Sequence, residues 1–114
     1  MRRISVLLAA TLAIAGCAGD RGRRDSGPEF AGRTMRVVAA DGRVTTLRFR
    51  RGGTVLARFD GRESAGRWAL QRRELCFTWA RGFRECWPYR DRFERGRTVA
   101  LTSDRGNRVR VTLE

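Results

Sequence analysis

"MRVVAADGRVTTLRF", Met35 to Phe49, consists of two alternating segments joined by Ala40-Asp41-Gly42. A three-residue loop with glycine third makes a type I turn followed by a left-handed residue, a conformation glycine enters without steric cost. Closing that loop on Ala39 and Arg43 sets Val37 opposite Thr45 and Met35 opposite Leu47, so the apolar faces of the two segments coincide. A slip of one residue would turn every side chain to the wrong face; the coincidence therefore specifies a register.

The same construction recurs along the chain. With Arg51-Gly52-Gly53 as the loop, Phe49 faces Val55, Leu47 faces Ala57 and Thr45 faces Phe59; with Asp104-Arg105-Gly106, Leu101 faces Val109 and Val99 faces Val111. Phe59-Asp60-Gly61 offers another turn, and a polar loop from Gln71 to Glu74, closed by Leu70 and Leu75, sets Trp68 opposite Phe77. The pattern predicts an all-β fold: an antiparallel meander of about eight strands, near 33–39, 43–50, 53–59, 66–71, 74–79, 83–89, 97–103 and 107–113. One-sided alternation means one buried face, and a sheet this long covers that face by curling into a small barrel or a strongly coiled sheet.

"ELCFTWARGFRECWPY", Glu74 to Tyr89, holds both cysteines of the domain. With Ala80-Arg81-Gly82 as the loop and Trp79 and Phe83 as its closing pair, Phe77 meets Glu85 and Cys76 meets Cys86. The cysteines fall at a non-hydrogen-bonded pair, where Cα atoms lie about 4.5 Å apart, within disulfide range. A Cys76–Cys86 disulfide is expected. No metal site is expected beside it, because the chain has no histidine to complete one.

The face opposite the cysteines carries Leu75, Phe77, Trp79, Phe83, Glu85, Trp87 and Tyr89, with Trp68 on the neighbouring strand. These rings read either as a core, which a small domain builds from large side chains, or as the lining of a ligand cavity. Candidate lining residues are Trp68, Phe77, Trp79, Glu85, Trp87 and Tyr89. Glu85 stands among apolar neighbours and must find a partner, with an arginine the default expectation.

At the other end of the chain, Met1-Arg2-Arg3 precedes an apolar run from Ile4 to Gly16, too short to span a bilayer and suited to an export signal. Ile14-Ala15-Gly16-Cys17 resembles the lipobox of bacterial lipoproteins. The resemblance implies removal of residues 1–16 and lipidation of Cys17, whose acyl chains would hold the protein to a membrane without a spanning helix. Ala18 stands where Asp favours retention in the inner membrane, which in a Gram-negative host implies the periplasmic face of the outer membrane. Residues 17–29 lack any large apolar side chain before Phe30 and read as a flexible tether; residues 30–114 form the β domain.

The formal net charge is +13, and all 25 basic residues are arginine. An absence of lysine alongside scarce isoleucine and asparagine is also what a GC-rich genome produces. Arg48, Arg50, Arg84, Arg108 and Arg110 are candidate anion-binding residues, since guanidinium forks take phosphate and carboxylate bidentately. The partners this suggests for an exported chain are an anionic lipid, a glycan or an acidic protein, and not nucleic acid.

Without histidine there is no Ser-His or Cys-His nucleophile pair, and neither a phosphate loop nor a dinucleotide fingerprint is present. The chain reads as a non-enzyme with no cofactor. Gly66-X-Trp68, Leu75-Cys76-X-X-Trp79 and Cys86 resemble a group of small exported bacterial β-domain proteins. "AGRWAL", two cysteines and "GRTVAL" are similar to the Inh-type metalloprotease inhibitors, small envelope β-barrels that space their cysteine pair more widely. The expectation is a lipid-anchored envelope protein that binds an anionic component or a protein partner, as an inhibitor if the second resemblance holds. Its alternatives are a carrier or sensor of an apolar small molecule and a purely structural lipoprotein.

Overall fold

The computed structural model describes residues 27–114, which form one all-β unit. The expected signal peptide, the lipidation at Cys17 and the tether up to residue 26 lie outside the described residues. Eight strands follow in order: β1 (Thr34–Ala39), β2 (Val44–Phe49), β3 (Thr54–Phe59), β4 (Arg62–Gln71), β5 (Glu74–Thr78), β6 (Arg84–Pro88), β7 (Thr98–Thr102) and β8 (Arg108–Leu113). Every ladder is antiparallel, and the order across the sheet is β6-β5-β4-β3-β2-β1-β8-β7.

The hairpin registers are those the turns dictate. Met35 pairs with Leu47 and Val37 with Thr45; Phe49 pairs with Val55 and Leu47 with Ala57. Leu101 pairs with Val109 and Val99 with Val111. The Ala40–Gly42 loop closes through Ala39 N–H to the Arg43 carbonyl, 2.9 Å, with Gly42 at φ 88°. Two turns are tighter than the sequence suggests. Asp60 and Gly61 both take positive φ, a two-residue turn that lets β4 start at Arg62 and not near Gly66. Arg72 and Arg73 do the same, so Gln71 and Glu74 pair across a loop only two residues long.

The sheet curls into a nearly closed barrel, as its topology requires: β6 and β7 are the two edges, yet the connection 89–97 joins them. Instead of a ladder, the seam has a local clasp. Asp104 N–H donates to the Cys86 carbonyl (2.9 Å), and Cys86 N–H donates to Asp104 Oδ1 (2.8 Å). Arg105 Nε donates to the Arg84 carbonyl at 2.6 Å, and its guanidinium lies 4.1 Å over the Phe83 ring.

Alternation sends Met35, Val37, Leu47, Phe49, Val55, Leu75, Phe77, Trp87, Val111 and Leu113 inward, where all are buried. The barrel has a near end, with the N-terminal segment, the β2–β3 and β4–β5 turns and the β6–β7 connection, and a far end with the other four turns. The near end is plugged by Phe30, fully buried against Phe49 (4.7 Å between centroids), Trp68 (5.1 Å), Tyr89 (6.0 Å) and Phe93 (6.2 Å).

Glu29 belongs to this plug, which corrects its placement in the tether. Its carboxylate accepts from the Tyr89 hydroxyl at 2.6 and 2.7 Å and from Phe93 N–H at 2.6 Å, with Arg92 Nε 3.7 Å away. Composition placed Glu29 in the tether because its partners lie some sixty residues further along the chain. Burial, then the bond to the carboxylate and its negative charge, raise the Tyr89 phenol well above its ordinary range.

Candidate functional site

The far end is not filled. A cavity of about 550 Å³ opens there, with Phe77, Trp79 and Trp87 in its lining beside Val37, Leu47, Ala57 and Val109. Asp41, Glu85, Asn107 and Arg108 supply its polar border. The volume falls within the range of small-molecule sites, about 300–1,000 Å³.

Each ring has a local cause for its position. Phe77 and Trp87 alternate inward on β5 and β6 and meet edge to face at 4.7 Å, 67° between planes. Trp79 directly follows β5, and its ring stacks on Phe77 at 5.9 Å and 13°. Its other neighbour is Gly66: a Cβ there would come within 2.5 Å of Trp79 Cε3 and 2.9 Å of the Thr78 carbonyl. Glycine at 66 is thus what lets the indole lie against β4 and form a wall of the cavity.

Glu85 is half-buried at the border. Its Oε2 accepts from Asn107 Nδ2 at 2.6 Å, and among the described residues it has no salt bridge. The expected arginine partner is therefore replaced by an asparagine. The seam explains this. The Asp104–Cys86 clasp fixes the β7–β8 turn against β6, and the turn closes with Ser103 N–H on the Asn107 carbonyl (2.8 Å), bringing the amide over Glu85. Asp41, by contrast, is engaged by Arg43 through N–H (3.0 Å) and Nε (3.3 Å).

Of the predicted lining residues, Phe77, Trp79, Glu85 and Trp87 come together in the cavity. Trp68 and Tyr89 do not. Both face inward, but at the near end: Trp68 packs on Phe30 and Phe49 and donates Nε1–H to the Arg50 carbonyl at 2.9 Å, while Tyr89 bonds Glu29. Sharing a face does not place residues at the same height along the barrel. Asn107 was not expected here, and Arg108 was expected only as an anion-binding residue, because only the seam between β6 and the β7–β8 turn brings them to the cavity.

Cys76 and Cys86 are directly paired and form a disulfide, with Cα atoms 4.0 Å apart. Glu74 lies beside them, but the two sulfurs are bonded to each other, so the trio offers only a carboxylate. Among the candidate arginines, Arg84 covers the disulfide, its guanidinium 3.5 Å from Cys76 Sγ and 3.3 Å from Gln71 Oε1. Arg50 sits in the β2–β3 turn at the near end, and Arg48, Arg108 and Arg110 alternate outward on β2 and β8. The five do not form one cluster.

No family model, curated protein or solved structure matches this chain.

Proposed function

We propose that the protein is a non-catalytic binding barrel whose far-end cavity takes an apolar small molecule bearing a hydrogen-bond donor. The observation that carries this reading is the cavity itself: about 550 Å³, walled by Phe77, Trp79 and Trp87, with the Glu85 carboxylate at its border. Aromatic and aliphatic walls favour an apolar body, and the free lone pairs of Glu85 favour an amine, amide or hydroxyl at its polar end. The lipobox resemblance adds anchoring through Cys17 in the cell envelope, and the described residues begin at the near end, opposite the cavity.

N-phenyl-1-naphthylamine, neutral and carrying one N–H, is a suitable probe. Titration into the protein is expected to give saturable, one-to-one fluorescence enhancement with quenching of tryptophan emission. Ala57→Phe, which fills the cavity from β3, should abolish the saturable component, and Glu85→Leu should weaken it. Equal probe uptake by the native chain and Ala57→Phe would remove the reading. Native mass spectrometry of protein recovered from an exporting host would show any molecule carried through purification.

A further inference from the structure

The ladder registers line up five arginines across the outer surface of β8, β1, β2 and β3. Arg36 lies opposite Thr112 on one side and Thr46 on the other. It is thereby the diagonal neighbour of Arg110, which faces Val38, and of Arg48, which faces Thr34. Arg58, opposite Thr46, is diagonal to Arg48, and Arg108 precedes Arg110 on the same face of β8. Diagonal neighbours stand about 7–8 Å apart, so each guanidinium has room for its own anion.

All five are exposed, and these four strands contain no aspartate or glutamate. Among the described residues none of the five is in a salt bridge. Of the strand carboxylates, Glu63 on β4 stands opposite Arg58 at one margin of the stripe without forming a salt bridge to it, while Glu74 and Glu85 lie on β5 and β6. Such segregation leaves a stripe of like charges whose mutual repulsion an external polyanion would relieve.

The residues between the arginines indicate which polyanion. Val38, Val44 and Leu56 share this outer face, and a groove of about 620 Å³ over β8 is lined by Val38, Ala100, Thr102, Arg108 and Arg110. The one exposed aromatic side chain on these strands, Phe59, alternates with the inner face of β3 and lies under the Arg43 guanidinium at 5.9 Å, so the outer face offers no ring to stack on a base, as single-stranded nucleic acid binding requires. Guanidinium forks beside short aliphatic side chains match a phosphate layer lying over an apolar one. We infer that this stripe docks the barrel side-on against a membrane surface of anionic phospholipid headgroups. Arg36, Arg48, Arg58 and Arg110 lie along the barrel wall and only Arg108, at the far end of β8, also borders the cavity, and the inference does not rest on the ligand reading.

Full-length protein would be co-sedimented with vesicles of phosphatidylcholine and with vesicles containing equal parts of phosphatidylcholine and phosphatidylglycerol. Each arginine near an anionic surface multiplies partitioning by about fivefold at low salt. The native chain should therefore prefer the anionic vesicles by about tenfold or more, a preference that collapses in high salt. Arg36→Gln/Arg48→Gln/Arg110→Gln should lose most of that preference, with neutral-vesicle binding unchanged and far-UV circular dichroism intact. Comparison with neutral vesicles separates this effect from the apolar affinity of the N-terminal segment, and the difference between the two triple variants separates it from the charge of Arg2, Arg3, Arg21, Arg23 and Arg24, which both variants keep. Arg62→Gln/Arg81→Gln/Arg90→Gln, with the same loss of charge off the stripe, should retain it. Equal loss in both triple variants would show that net charge and not the stripe is responsible, and would overturn the inference. So would indifference of the native chain to phosphatidylglycerol, including the case in which it binds duplex DNA instead.

Discussion

Gly66 and Trp79 occupy one space: a Cβ on the first would lie 2.5 Å from Cε3 of the second, with the Thr78 carbonyl only 2.9 Å away on the same side. The carbonyl belongs to a paired strand and cannot retreat, so an alanine would have to displace the indole. Gly66→Ala is expected to cost about 1–3 kcal/mol as overpacking. It should also alter near-ultraviolet circular dichroism, because Trp79 would leave its stack on Phe77. Uptake of N-phenyl-1-naphthylamine should fall with it. An unchanged aromatic spectrum would show that the wall does not depend on this glycine.

Tyr89 is the only tyrosine, and the chain has neither lysine nor histidine. With Cys76 and Cys86 oxidised, its phenol is the one side chain of the β domain expected to ionise between neutrality and the arginine range. Burial first, then the Glu29 carboxylate, raise its pKa in the fold. The unfolded chain therefore loses this proton first, near pH 10, while the folded chain retains it. Stability from this group is complete below about pH 10 and declines as pH rises from there toward the folded value. Absorbance at 295 nm should show Tyr89 titrating late. Glu29→Gln should shift the titration toward pH 10, and Tyr89→Phe should make urea stability flatter in alkali.

The four hairpins around residues 40–42, 51–53, 80–82 and 104–106 were legible because each is local: a glycine at the third loop position sets the turn, and the apolar alternation on both sides agrees with only one register. Cys76 and Cys86 followed from the same counting. Arg72-Arg73 was not legible as a two-residue turn, since nothing in two arginines announces the positive φ both adopt. The site was half legible. Phe77, Trp79, Glu85 and Trp87 sit on adjacent strands and were found together, whereas Trp68 and Tyr89 were grouped with them because alternation reports face and not height. Asn107 reaches Glu85, and Glu29 reaches Tyr89, only once the barrel has closed, and contacts across a seam or plug leave no periodic trace.

The Cys76–Cys86 disulfide encloses a short loop, with a sequence separation of 10. Chain-entropy arguments give about 2–3 kcal/mol for a loop of this size. Cys76→Ala/Cys86→Ala should therefore lower the melting temperature by about 10 °C or more. Far-UV circular dichroism below the transition should stay the same, because the Ala80–Gly82 turn and the flanking apolar pairs specify the hairpin independently. A melting temperature unaffected by thiol reductant in the native chain would show that the crosslink adds nothing to this turn.

Asp104 connects the crosslinked hairpin to the cavity. Its carboxylate holds Cys86 N–H, its own N–H holds the Cys86 carbonyl, and the turn it begins carries Asn107 to Glu85. Asp104→Ala removes only the first of these bonds but leaves a part-buried N–H without its acceptor, a loss of about 1–3 kcal/mol. Hydrogen exchange at Cys86 should quicken well beyond that of Phe77, which lies in the intact ladder between β5 and β6. The turn should then loosen, and Asn107→Ala should weaken probe binding less in the Asp104→Ala background than in the native chain, because the amide is no longer fixed over Glu85. Independent effects of the two substitutions would mean that the seam closes the barrel without positioning the border of its cavity.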